Sequence, residues 1–153
     1  MFKKVLIPTD GSELAAQAAN AGITFARSIN AEVVALHVSQ PFAATIGFDG
    51  MAAAYAITDE AYEKAAQEQA TKYLQSVLDR AETAGVKARP VAVSNFNVAD
   101  GIVQAATEEG ADLIFIGSHG RSGLSRLLLG SVAAKVLSLA DVPVLVYRVK
   151  EEK

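Results

Sequence analysis

The sequence predicts a doubly wound α/β fold, a parallel sheet with helices on both faces, on three observations. Four short apolar runs, Val5–Pro8, Val33–Val38, Leu113–Ile116 and Val142–Tyr147, are β-branched or aromatic-rich and almost unalternated, as strands covered on both faces are. Segments of helical period separate them, and alternating strands and helices imply right-handed crossovers. The chain has 153 residues, 51% hydrophobic and 20% charged, enough for one packed core without disorder or a fibrous repeat. One domain spanning residues 1–153 follows, since neither a linker nor an internal repeat interrupts the pattern.

The first strand, Val5–Pro8, leads into an amphipathic helix over Ser12–Asn30, where Ala15, Ala19, Gly22, Ile23, Ala26 and Ile29 recur at helical spacing. Ser12 is its natural N-cap, because its hydroxyl can accept from an orphan amide of the first turn. After the second strand, Val33–Val38, the segment from Gln40 to Ile57 holds Pro41, Gly47 and Gly50 among Phe42, Phe48 and Met51, with one charge, Asp49. A connection of that length reads as a lid, a binding loop or a partner surface, or as a partly helical insertion capping the core. The longest helix opens after Thr58 with Asp59 and Glu60 in its first turn. It carries Tyr62, Ala66, Ala70, Tyr73, Val77 and Ala81 along one stripe and ends at Gly85. Pro90–Val93 is a weaker strand, Asn97 with Asp100 resembles a capping box for a helix through Glu109, and Ser131–Ala140 is a short last helix.

Charge and composition narrow the function. A net charge of -3 and a pI near 5.4 argue against a general binder of nucleic acid or anionic membrane. The absence of cysteine excludes disulfides and thiolate metal sites. The apolar run after Met1-Phe2-Lys3-Lys4 is too short for a signal peptide, and no stretch is long enough for a membrane helix, so a cytoplasmic protein is expected.

The chemistry concentrates in one segment, where the strand Leu113–Ile116 meets Gly117, Ser118, His119, Gly120 and Arg121, and Gly130-Ser131 opens the last helix. Glycines let a ligand approach the main chain, and the amides at Gly130, Ser131 and Val132 favour an anion at a helix N-terminus. From Leu113 to Ala140 there are Arg121, Arg126 and Lys135 and no acid, in an otherwise acidic chain, which predicts a local anion site. The alternative is that these arginines are solvated and the glycines only permit a turn. No GxxxxGK[ST] occurs, the GxG of the dinucleotide fingerprint is missing, and neither GxSxG nor HExxH supports a hydrolase. His37, inside an apolar strand, reads as a hydrogen-bonded core histidine, whereas His119 in the glycine loop is placed to touch a ligand. Asp10, at the end of the first strand, is either a turn former or a ligand contact.

Gly117, Gly120, Gly130 and Ser131 satisfy G-x2-G-x9-G-[ST], which composition alone would produce about 0.006 times per sequence of this kind. With the strand ending Pro8-Thr9-Asp10-Gly11-Ser12, the second ending Leu36-His37-Val38, and the closing Val142-Pro143-Val144-Leu145-Val146, the chain resembles the ATP-binding branch of the universal stress protein family over its whole length. That resemblance implies a five-stranded Rossmann-like sheet of order 3-2-1-4-5, related to the adenine nucleotide alpha hydrolase fold. It implies ATP, or AMP or ADP, in a crevice between the first and fourth strands. Pro8, Thr9 and Asp10 would meet the adenosine end, and the Val38 backbone would read the adenine edge. Gly117, Ser118, His119, Gly120 and Arg121 would wrap ribose and phosphates, and Gly130, Ser131 and Val132 would hold the terminal phosphates. Mg²⁺ would ride on those phosphates, with Asp10 the nearby carboxylate. The same resemblance implies a homodimer through the last strand, Val142–Val149, and a stress-response protein in which binding rather than catalysis is the switch. A weak ATP hydrolase or phosphoryl-transfer enzyme, and a binder of AMP or a related metabolite, remain the alternatives.

Overall fold

In the computed structural model, which describes residues 1–46, 58–120 and 128–148, five parallel strands lie in the order β3-β2-β1-β4-β5. They are β1 (Lys4–Pro8), β2 (Glu32–Ser39), β3 (Ala88–Ser94), β4 (Leu113–Gly117) and β5 (Val144–Tyr147). The helices are α1 (Glu13–Ser28), α2 (Phe42–Ile46), α3 (Asp59–Thr83), α4 (Val98–Glu108) and α5 (Ser131–Leu139). The fold class and strand order are those expected from the sequence.

Strand alternation divides the core into two layers, which is why the strands read as unbroken apolar runs. Val5, Ile7, Val33, Ala35, Leu113 and Phe115 face α1 and α3, meeting Ala19, Ile23, Leu74 and Val77. Leu6, Val34, Leu36, Ile114 and Ile116 point the other way, onto Ala99, Ile102, Ala105, Ala133 and Val136 of α4 and α5. Leu6, Ile7, Leu36 and Ile114 have no solvent exposure, so truncating any of them to alanine should cost about 2–5 kcal/mol.

Local signals set most boundaries. The Ser12 hydroxyl accepts from the Ala15 amide at 3.1 Å and Thr58 does the same for Ala61 at 3.1 Å. Asn97 accepts from the Asp100 amide at 3.2 Å, but the capping box is not reciprocal. The Asn97 amide donates instead to Asn95 Oδ1 at 2.9 Å, and the Asp100 carboxylate pairs with Lys135 at 3.2 Å. The predicted stripe of α3 misses one residue: Leu74 is buried with Ala70, Val77 and Ala81, whereas Tyr62 and Ala66 are only half-buried. Strand β5 begins two residues later than predicted, because Pro143 has no amide and enters the ladder only as an acceptor, from Ile114. Strand β3 is an edge, and the ladder's alternation turns Pro90 outward, where its missing amide is harmless.

The segment from Gln40, read as a lid, binding loop or partner surface or else as a partly helical insertion, starts as the short helix α2, with Phe42 packed on Tyr62 of α3 at a ring separation of 5.0 Å. The remainder of that candidate lid, 47–57, lies outside the described residues, as do Arg121, Arg126 and Val149. No helix among the described residues is long and apolar enough to cross a membrane.

Candidate functional site

Strand β1 has β2 on one side and β4 on the other, although β4 follows it by three crossovers. Chain winding therefore reverses between β1 and β4, and their carboxyl ends splay apart into a crevice, as open α/β sheets do at a switch point. The crevice holds about 450 Å³. Its lining includes Pro8, Thr9, Asp10, Val38, Gly117, Ser118, His119, Gly120, Gly130, Ser131 and Val132. Every site residue named from the sequence is thus brought together except Arg121, which lies outside the described residues.

Beyond the end of β1, Thr9 is held by its amide on the Leu36 carbonyl at 2.8 Å, and its own carbonyl accepts from His37 Nδ1 at 2.8 Å. His37 is 8% exposed and meets the Tyr73 ring edge-on at 5.3 Å, so it is the hydrogen-bonded core histidine that its sequence setting suggested. Because a carbonyl can only accept, Nδ1 carries the hydrogen. Asp10 Oδ1 accepts from the Ser12 amide at 3.0 Å, closing the turn into α1. Its Oδ2 faces Gly120, where an added Cβ would come within 2.6 Å of it. The carboxylate thus forms a turn and also lies close against Gly120 across the crevice.

The alternation of the β2 ladder matters at Val38. Thr9 bonds Leu36 on the β1 side, whereas the Ser39 carbonyl accepts from Asn95 on the β3 side. The amide and carbonyl of Val38 therefore turn toward β1, past the point where β1 has ended at Pro8.

On the other wall, Ser118 is a pin. Its amide donates to the Tyr147 carbonyl at 2.8 Å, its hydroxyl meets His119 Nδ1 at 3.1 Å, and its carbonyl accepts from the Gly130 amide at 2.8 Å. This corrects one expectation: the Gly130 amide is spent on tying the glycine segment closed and is not offered to a ligand. The closure needs glycine, because a Cβ at 130 would lie 2.8 Å from the Ser118 carbonyl oxygen. Helix α5 then starts at Ser131 with no side-chain cap. The amides of Ser131, Val132 and Ala133 have no partner within the helix, and with the helix dipole they can receive an anion. Lys135, one of the three cations in this segment, turns away to Asp100 and does not line the crevice.

Gln40, Ala15, Val98, Ile102, Ile116 and Ala133 also line the crevice and were not foreseen as site residues. Val98, Ile102 and Ala133 carry only the signal of a buried helix face, so nothing in their spacing distinguishes a pocket wall from core. Gln40 opens a segment whose readings, from lid to partly helical insertion, single out no one residue as a ligand contact. Among the described residues no group of three or more His, Cys, Asp or Glu could hold a metal ion, so a cation here would need ligand oxygens besides Asp10.

A family model described as the universal stress protein family matches residues 1–148. The chain is 37% identical over 150 residues to the universal stress protein MJ0531 of Methanocaldococcus jannaschii, covering 97% of this chain and 83% of that one. Among solved structures it superposes on MJ0577, a universal stress protein of the same organism, with a TM-score of 0.78 at 29% identity and 99% coverage of both chains. It also superposes on a universal stress protein in complex with cAMP, with a TM-score of 0.71 at 25% identity, covering 97% and 98%.

Proposed function

The chain belongs to the universal stress protein family, and from that premise we propose that its crevice binds ATP or another adenine nucleotide and that occupancy, rather than catalysis, makes it a stress-response regulator or protectant. The observation that carries this reading is the convergence of Pro8–Asp10, Val38, Gly117–Gly120 and Gly130–Val132 on one crevice at the switch point. The likeness to a relative that holds cAMP adds weight to an adenine ligand. The G-x2-G-x9-G-[ST] spacing favours the triphosphate.

In this reading the outward amide and carbonyl of Val38 meet the donor–acceptor edge of adenine, and Thr9 and Asp10 border the ribose. Gly117, Ser118, His119, Gly120 and Arg121 wrap ribose and the first phosphate. The terminal phosphates lie against the Ser131 and Val132 amides and the Ser131 hydroxyl, while Gly130 acts by holding the loop shut. Mg²⁺ would neutralise phosphate charge, held mainly by phosphate oxygens with Asp10 beside it. The whole chain, 1–153, is read as one nucleotide-binding domain of a cytoplasmic homodimer joined through β5. Residues 40–57 form the segment whose contacts with a partner protein change on loading.

Calorimetric titration with ATP, ADP and AMP, with and without Mg²⁺, tests the proposal. ATP should bind with Mg²⁺ at least about tenfold more tightly than AMP, since added phosphates gain charge-assisted bonds at α5. No multiple-turnover hydrolysis should accompany it. Sustained turnover abolished by Asp10→Ala would replace the proposal with the phosphoryl-transfer reading.

A further inference from the structure

Gln40 stands at the rim of the crevice and is held from three directions. Its carbonyl accepts from the Tyr62 hydroxyl at 2.9 Å, and the preceding Ser39 carbonyl accepts from the Asn95 amide at 2.9 Å. Its side-chain Nε2 donates to the Phe96 carbonyl at 3.1 Å. That last bond decides which way the amide faces, because the reversed group would set Oε1 against a carbonyl oxygen, acceptor against acceptor. With one Nε2 hydrogen spent on Phe96 and the flip thereby fixed, Oε1 is the acceptor that the side chain offers, two residues beyond Val38 on the same wall.

We infer that Gln40 is a specificity-determining residue for the base, its Oε1 accepting a hydrogen from a 6-aminopurine and disfavouring a 6-oxopurine. The inference rests on the adenine-nucleotide reading and deepens it. An exocyclic amine has two hydrogens. The Val38 carbonyl can take one, which leaves the second for Gln40. Guanine presents O6 at the same position, an acceptor facing an acceptor, and leaves both without a partner. The groups that hold this stretch come from the start of α3 (Tyr62) and the loop before α4 (Asn95 and Phe96), so the backbone and the amide are positioned before the base arrives and little ordering accompanies their use.

The experiment is calorimetric titration of the full chain and its Gln40→Leu variant with the Mg²⁺ complexes of ATP, GTP and purine riboside triphosphate, which lacks the 6-amino group. Thermal melts confirm that the variant, altered at an exposed site, stays folded. The wild type should prefer ATP to both analogues, and Gln40→Leu should lower each preference about tenfold, through weaker ATP binding. An unchanged preference, or a parallel loss for all three nucleotides, would overturn the role of Gln40 while leaving the nucleotide site standing. If the wild type binds none of the three, the adenine-nucleotide reading itself fails, and this inference with it.

Discussion

Two glycines of the crevice differ in what their Cβ would strike, and the difference separates fold from function. At Gly130 the obstacle is the Ser118 carbonyl oxygen, 2.8 Å away, which is backbone and cannot step aside. Gly130→Val should therefore lose nucleotide binding and also about 1–3 kcal/mol of stability, read from paired calorimetry and urea melts. At Gly120 the obstacle is Asp10 Oδ2, the end of a side chain that can swing. Gly120→Ala should leave stability within about 1 kcal/mol of wild type and still weaken nucleotide binding, by displacing Asp10. Far from the crevice, Glu32 sits 3.2 Å from Lys87 and 3.4 Å from Lys4. The hydrogen bond from Lys87 leads in holding its carboxyl below the ordinary value, with burial pulling the other way and Lys4 adding to the lowering. A carboxyl lowered on folding stabilises the protein above its unfolded pKa, and that contribution disappears as pH falls through the folded one. Glu32→Gln should thus be slightly less stable than wild type at pH 7. The gap should close as denaturant melts are repeated below the ordinary carboxylate range.

At the scale of elements, the caps are where sequence and structure agree most closely. A cap is a contact three residues long, so Ser12, Thr58 and Asn97 were legible directly. Asn97→Ala should cost about 1 kcal/mol in chemical denaturation. It should also weaken nucleotide binding, since the α4 start carries Val98 into the crevice and adjoins the Phe96 carbonyl that orients Gln40. The features that were harder to read depend on distant partners. Helix α2 owes its place to Phe42 meeting Tyr62, twenty residues on, and five residues in isolation carry no helical signal. The spent amide of Gly130 was invisible for the same reason: its acceptor, Ser118, lies twelve positions back in the chain. Leu74 escaped the α3 stripe because Tyr73, one position before it, fits the helical spacing between Ala70 and Val77 equally well; the structure buries Leu74 in that row and leaves Tyr73 half-buried against His37.

For the molecule as a whole, sheet order decides what becomes a site and what becomes an edge. The β1–β4 adjacency sets Pro8–Asp10 against Gly117–Gly120, segments about a hundred residues apart in the chain, and no local pattern encodes that meeting. It could be anticipated only because the glycine spacing pointed to a family with a known strand order. The same order leaves β5 at an edge, with Pro143 and Tyr147 bonded to β4 and the amide of Val146 turned outward. Val146→Pro, which removes an outward donor and spares the β4 ladder, should convert the proposed homodimer to monomer in sedimentation velocity at unchanged helix content. The most direct test of the central claim is a heteronuclear NMR titration of the wild type with Mg²⁺-ATP, following each backbone amide. The largest shifts should cluster at Thr9, Asp10, Val38, Gly117–Gly120 and Ser131–Ala133. Saturating ATP that moves none of these amides, or moves instead those around Lys3, Arg27 and Lys87 at the opposite end of the sheet, would contradict it.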